Sequence, residues 1–230
     1  MDRTKKFVVA LGLVAISAAG CKSCGDDPTD DNNTTNNNTQ NVGTNNGTQN
    51  NNNSTIVVEC DTRVPLEIPD TGDVTIARGE DGTCFSSEGI RVNERLLTIE
   101  PGVIIEFEEN AALEVTSTGK LNMEGTADAP IILTAEEGRE TPGYWAGINL
   151  DRPNSLDTVL DHVIVRYAGR DQPGALTISY CCGSDTRVSV SNSIFEYSAT
   201  LGVHVDESIN LETFENNIMR NNVEGAAFFY

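Results

Sequence analysis

From Ile56 onward, apolar and polar residues alternate in runs of three to five, and Gly, Asn, Asp or Pro separates one run from the next. The clearest runs are Val74-Thr-Ile76, Leu97-Thr-Ile99, Val103-Ile-Ile-Glu-Phe107, Leu113-Glu-Val115, Leu121-Asn-Met123, Ile131-Ile-Leu133, Ile148-Asn-Leu150, Val163-Ile-Val165 and Val203-His-Val205. A period of two with turn residues at the ends predicts short strands buried on one face. No stretch keeps an apolar period of 3.6 over a helical length, so the domain over residues 56–230 is expected to be all-β.

In the last third the pulse becomes a repeat. His162-Val-Ile-Val-Arg-Tyr-Ala-Gly169, Asn192-Ser-Ile-Phe-Glu-Tyr-Ser-Ala199 and Asn216-Asn-Ile-Met-Arg-Asn-Asn-Val223 align on Ile164, Ile194 and Ile218, which lie 30 and 24 residues apart. A Gly and a further short strand follow each of them: Gly174-Ala-Leu-Thr-Ile178, Gly202-Val-His-Val205 and Gly225-Ala-Ala-Phe228. The loop Ser179–Arg187 accounts for the longer interval. A period near 24 with two or more strands per unit suits one coil of a parallel β-helix, in which equivalent side chains stack as ladders.

Longer segments resemble a known family. Leu97-Thr-Ile-Glu-Pro-Gly-Val-Ile-Ile-Glu-Phe107 is similar to the L-x-I-x-P-G-V-x-I-x-F strand pair of right-handed β-helix repeat proteins of the pectate-lyase-like kind. Leu121 to Thr126 with Ala129-Pro-Ile-Ile-Leu-Thr134, then Tyr144-Trp-Ala-Gly-Ile148, resemble later coils of that family. The resemblance spans about residues 96–230 and implies a right-handed parallel β-helix. Its motifs report fold far more than activity, since lyases, adhesins and other lipoproteins share them.

The amino-terminal quarter has a different character. Arg3, Lys5 and Lys6 precede an apolar run from Phe7 to Ile16 and the small residues Ser17 to Gly20. That run is short of the roughly 20 residues a membrane span needs, so residues 1–20 are expected to be a signal peptide. Ala18-Ala19-Gly20-Cys21 resembles the lipobox of bacterial lipoproteins, which implies cleavage before Cys21 and lipid attachment to its sulfur. Lys22 after the cysteine implies, by the same resemblance, the outer membrane. Residues 21–55 begin with Cys21, the expected lipid attachment site, and within them Asn32–Thr55 is nearly all Asn, Thr, Gln, Gly and Ser, with Val42 its one apolar residue. Such a composition cannot offset backbone ordering entropy, and a disordered tether of r.m.s. span about 30–35 Å is expected.

Charge narrows the partners. With 35 acidic against 15 basic residues the net charge is −20. Nucleic acid is excluded as a partner, because Lys and Arg on phosphates supply most of that affinity. The expected partners are the membrane, through the lipid, and a polysaccharide or a surface protein.

Candidate chemistry is sparse. Asp151, Asp157, Asp161, Asp171, Asp185 and Asp206 fall near predicted turns; β-helix lyases hold Ca²⁺ on such carboxylates and β-helix glycosidases use Asp pairs. Local catalytic signatures of those families are missing, so no catalytic residue and no cofactor is assigned, Ca²⁺ being the one ion the carboxylates would admit. Arg166, Glu196 and Arg220 share one repeat position, which suggests a charge ladder rather than a lyase base. His162, Asn192 and Asn216 share another and are expected to hydrogen-bond along the stack. His204 has no His or Cys at metal-ligand spacing and should point away from the core. The family resemblance makes Trp145 a coil-packing residue. The other reading makes Trp145 and Tyr144 the candidate ligand contacts, as a sugar-stacking platform that Tyr167 and Tyr197 could join, although these two are stacked equivalents and suggest a structural aromatic ladder.

Six cysteines remain compatible with export. Cys60 and Cys84 flank the first β segments and are expected to form a disulfide. Cys181 and Cys182 either bond each other or leave one to pair elsewhere, and Cys24 is the natural free thiol.

The sequence therefore predicts a membrane-anchored, exported β-helix module that binds a polysaccharide or an envelope protein without catalysis. The alternative is a polysaccharide lyase or glycoside hydrolase acting on an acidic polysaccharide. The last coil stops in Phe228-Phe229-Tyr230 with no polar cap, so a truncated helix, or an end covered by a partner or second copy, is expected.

Overall fold

The computed structural model describes residues 55–60, 66–69, 71–86, 88–116, 118–151, 158–179, 187–206, 209 and 211–229. All regular structure among them is β. Strand β1 (Ile56–Cys60) is followed by six turns of three strands each. These are β2 (Val74–Arg78), β3 (Thr83–Ser86) and β4 (Ile90–Val92); β5 (Leu96–Ile99), β6 (Ile104–Phe107) and β7 (Ala112–Val115); β8 (Lys120–Glu124), β9 (Ile131–Ala135) and β10 (Gly147–Asp151). Then come β11 (Thr158–Asp161), β12 (Val163–Arg166) and β13 (Gly174–Ser179); β14 (Val188–Ser191), β15 (Ile194–Glu196) and β16 (Leu201–Val205); β17 (Thr213–Glu215), β18 (Ile218–Arg220) and β19 (Gly225–Phe229). Each turn adds one strand to each of three sheets: β1-β2-β5-β8-β11-β14-β17, β3-β6-β9-β12-β15-β18 and β4-β7-β10-β13-β16-β19. We refer to these as the first, second and third sheets. All recorded strand pairs are parallel, so the fold is a parallel β-helix.

The alternation dictates this arrangement. Inward residues of one turn sit in register on those of the next and form continuous apolar columns. In the first sheet Ile76, Ile99, Met123, Leu160, Val190 and Phe214 make one column. In the second, Cys84, Ile105, Leu133, Val165, Phe195 and Met219 make another. In the third, Ile90, Leu113, Ile148, Leu176, Val203 and Ala227 do so. Nearly all of these from the first five turns are buried. At roughly 1.5–3 kcal/mol for each fully buried large apolar side chain, the columns are the main stabilising contribution.

Corners between sheets need residues that turn the chain sharply. Between the first and second sheets, glycines serve early, with Gly82 and Gly102 at φ +72° and +79°. Later turns place His162, Asn192 and Asn216 there at φ +49°, +49° and +56°. Asn and His tolerate the left-handed region better than most residues, which explains their shared position without stacking. The expected axial Asn ladder is thus corrected. The Asn192 amide does bond to the preceding turn, but to Asp161 Oδ1 at 2.7 Å rather than to His162 or Asn216, and further bonds between turns come from Asn217 and Asn222. Asn217 accepts from the Ser193 N–H at 3.0 Å and donates to the Val190 carbonyl, and Asn222 does the same for Ser198 and Phe195.

At the amino-terminal end Cys60 and Cys84 are joined in a disulfide, with Cα atoms 4.9 Å apart and a separation of 24 positions along the chain. Both are buried. The bond ties β1 to the turn beneath it.

Candidate functional site

The outer face of the second sheet carries two columns. One is apolar: Ile104, Ile132, Ile164, Ile194 and Ile218 stack in register, half-buried until Ile218 at 49% exposure. Beside it Arg166, Glu196 and Arg220 stack in register. Glu196 is the hinge of this second column. Its Oε1 accepts from Arg166 Nε at 2.7 Å and its Oε2 from Arg220 Nε at 2.6 Å. The carboxylate side chain is only 3% exposed, so its burial depends on both cations. Each guanidinium is committed to the Glu196 carboxylate, which does not suit either arginine to act as a base.

Next to this column lies a corner of aromatics. Tyr167 and Tyr197 occupy left-handed positions at φ +61° and +58°. Their rings stack with centroids 5.4 Å apart and planes 18° apart. Burial pushes the Tyr167 hydroxyl above the ordinary tyrosine range. Tyr144 joins from the preceding turn, its N–H donating to the Tyr167 carbonyl at 2.9 Å. Its hydroxyl lies 3.2 Å from Glu136 Oε2, and burial together with that bond pushes it up as well.

Trp145 takes the coil-packing role and not the sugar-stacking one. Although it follows Tyr144, it lies on the other side of the wall, fully buried. Its ring stacks on Phe107 at 4.2 Å with planes 2° apart, and its Nε1–H donates to the Arg166 carbonyl at 2.7 Å. The indole therefore packs the core and offers no sugar platform; Tyr144 is half-buried and Tyr197, at 36%, is the exposed ring of the corner.

The carboxylates do not converge. Asp161 ends β11 and accepts from Ser191 Oγ at 2.8 Å and from Asn192, with His162 Nδ1 at 3.1 Å from its Oδ2. Desolvation pushes its carboxyl up, but the bonds from Asn192, Ser191 and His162 outweigh it and hold the group below the usual carboxylate range. Asp151 ends β10 on a different sheet, and Asp206 follows β16 beside His204, at 3.6 Å. His204 points outward and stacks on Phe228 at 5.9 Å. Among the described residues no group of three His, Cys, Asp or Glu stands close enough to hold a metal ion. Asp157, Asp185, Cys21, Cys24, Cys181, Cys182 and the Asn-rich stretch lie outside the described residues.

Sequence reasoning missed Asn217 and Asn222, which bind backbone across turns. Both stand one residue after a corner residue, and that offset is the signal that would have found them. It also missed the corner role of Asn110, at φ +69°.

Residues 70–152 match the family model described as the pectate-lyase like beta helix domain. No curated protein and no solved structure matches the chain.

Proposed function

Taking as premise that the chain carries a pectate-lyase-like β-helix domain, we propose that it is an exported module, held to the cell envelope through lipid on Cys21, which binds polysaccharide without cleaving it. The observation that carries this reading is the Arg166–Glu196–Arg220 column. Its charged groups neutralise one another from turn to turn, as a structural ladder does. They do not meet around a common reacting point, as an acid–base pair must. A flat wall of stacked columns, edged by the tyrosine corner, suits an extended polymer laid along the axis. The membrane is the second partner, through the acyl chains, and the acidic surface repels nucleic acid.

The test uses the lipidated chain in detergent, on a polysaccharide array and in a depolymerisation screen with the same glycans. Retention of at least one glycan with no shortening of it is the expected result. Release of unsaturated or reducing ends would transfer the chain to the lyases or hydrolases. For anchoring, Cys21→Ser should abolish labelling by a fatty-acid analogue and move the protein out of the membrane fraction; unchanged labelling would refute attachment at that residue.

A further inference from the structure

A cavity of about 740 Å³ opens at the amino-terminal end of the third sheet. Its volume lies within the range of small-ligand sites, about 300–1,000 Å³. Its roof is the segment 66–69, which is tied down at both ends. The Leu66 N–H donates to the Phe85 carbonyl at 2.7 Å, and Arg95 Nη1 donates to the Pro69 carbonyl. The other Arg95 nitrogen, Nη2, donates to the Arg91 carbonyl at 2.6 Å. The floor is the outer side of β4 and β7, kept shallow by Gly89 and Ala112. Gly89 cannot be larger, since a Cβ there would come 2.5 Å from the Ala112 carbonyl oxygen, and its φ is +84°.

The lining mixes apolar surface with hydrogen-bonding groups of both kinds. Leu66, Ile68 and Ile90 contribute the apolar part. Both arginines of the cavity are committed: Arg95 to the two carbonyls, and Arg91 to Glu114 at 3.2 Å. The carboxylates of Glu67 and Glu88 also line it and, among the described residues, have no cationic partner. With three carboxylates to two guanidiniums the lining is net acidic, and it offers carboxylate acceptors with the Asn110 amide and the spare N–H groups of Arg91 as donors.

We propose that this cavity is a glycan subsite for a neutral or amine-bearing sugar unit and discriminates against uronates. The proposal rests on the reading of the chain as a polysaccharide-binding module and gives that reading a place and a substrate class. Sugar hydroxyls donate to Glu67 and Glu88 and accept from Arg91 and Asn110, while the ring's apolar face lies on Ile68 and Leu66. An amino group pairs with the free carboxylates. A uronate would bring its own carboxylate into a lining that already holds three carboxylates, Glu67, Glu88 and Glu114, against two guanidiniums, Arg91 and Arg95, on a chain at net charge −20.

The test presents the full lipidated chain in detergent with oligosaccharides of β-glucan, of chitosan and of polygalacturonate. Binding to the glucan or chitosan series and at least tenfold weaker binding to polygalacturonate is expected. Ala112→Phe, which fills the cavity from its floor, should weaken that binding at least tenfold without changing the unfolding temperature. Glu88→Gln, at an exposed side chain, should cost three- to tenfold on the chitosan series, and it serves also if Ala112→Phe does not fold. Preference for polygalacturonate, or glycan binding indifferent to these variants, would overturn the subsite while leaving the module reading intact. Failure to bind any glycan on the broad array would remove both.

Discussion

Trp145 and Asp161 show at the residue scale how little the outward chemistry of this wall is separable from its packing. Trp145 contributes its full surface to the core, a parallel stack on Phe107 and a hydrogen bond to Arg166. Trp145→Ala should therefore destabilise the domain by about 3–5 kcal/mol, as large aromatic deletions do. Trp145→Phe, which keeps most of the stack, should cost distinctly less. Urea midpoints of the two variants check this; equal small losses would mean the ring is not packed as described. Asp161 gives a pH dependence. Its folded-state carboxyl lies below its unfolded value, so it contributes stability that is fully present above about pH 4 and disappears as pH falls through the lowered value. The stability gap between the native chain and Asp161→Asn should stay constant from pH 7 to about 5 and close below 4. A gap that persists unchanged to pH 2.5 would contradict the hydrogen-bonding account of this corner.

Among the elements, the corners decide what the repeat tolerates. Gly147 opens β10 at φ +108°, and a Cβ there would come 2.4 Å from the Ala175 carbonyl of the next turn. Gly147→Ala is expected to cost about 1–3 kcal/mol, through strain and through displacement of the paired strand. Thermal unfolding reads this directly, and an unchanged midpoint would show that the turns can part locally. Much of the strand architecture was legible in the sequence. The Ile164, Ile194 and Ile218 alignment is the register of β12, β15 and β18, and the Arg166, Glu196 and Arg220 column follows from it. The short strands β3 and β4 were not legible, because Thr83–Ser86 and Ile90–Val92 contain too few alternations to stand out from a loop. Corners were misread for a related reason. A shared Asn in consecutive repeats fits a side-chain ladder and a left-handed backbone equally well, and only φ separates them. The side of the wall that Trp145 occupies was legible from the family resemblance and not from alternation, since the turn between Gly143 and Gly147, both at positive φ, interrupts the alternation just before β10.

For the whole molecule, stability is close to a sum over turns and their contacts with neighbours. Protection is expected to be uneven. In the turn β17–β18–β19, Met219 and Ala227 are half-buried and Phe229 is 48% exposed, where Phe195, Val203 and Val205 one turn earlier are buried. Amide exchange should be fastest there and slowest in the turns β5–β7 to β11–β13. Net charge acts on the stack as a unit. At −20, self-repulsion opposes compaction and is screened over about 10 Å at 0.1 M salt. Raising NaCl from about 10 to 300 mM should raise the unfolding temperature by a few degrees; a fall would mean that specific ion pairs such as Arg166–Glu196 outweigh the general repulsion.

The bond between Cys60 and Cys84 has a consequence in mechanics. A solenoid loaded from one end peels, because the outermost strand is held by a single ladder that breaks rung after rung. Load arriving from the amino-terminal side enters this stack at β1. The sulfur bridge passes it covalently to β3, which is paired to β6 in the next turn. Cys60 is the last residue of β1, so load first parts the rungs from Ile56 to Glu59, then reaches the bridge and bypasses β2. Pulled from that side, the oxidised chain should resist at higher force once β1 has parted and should withhold the length between the two cysteines, which the reduced chain releases as β2 peels.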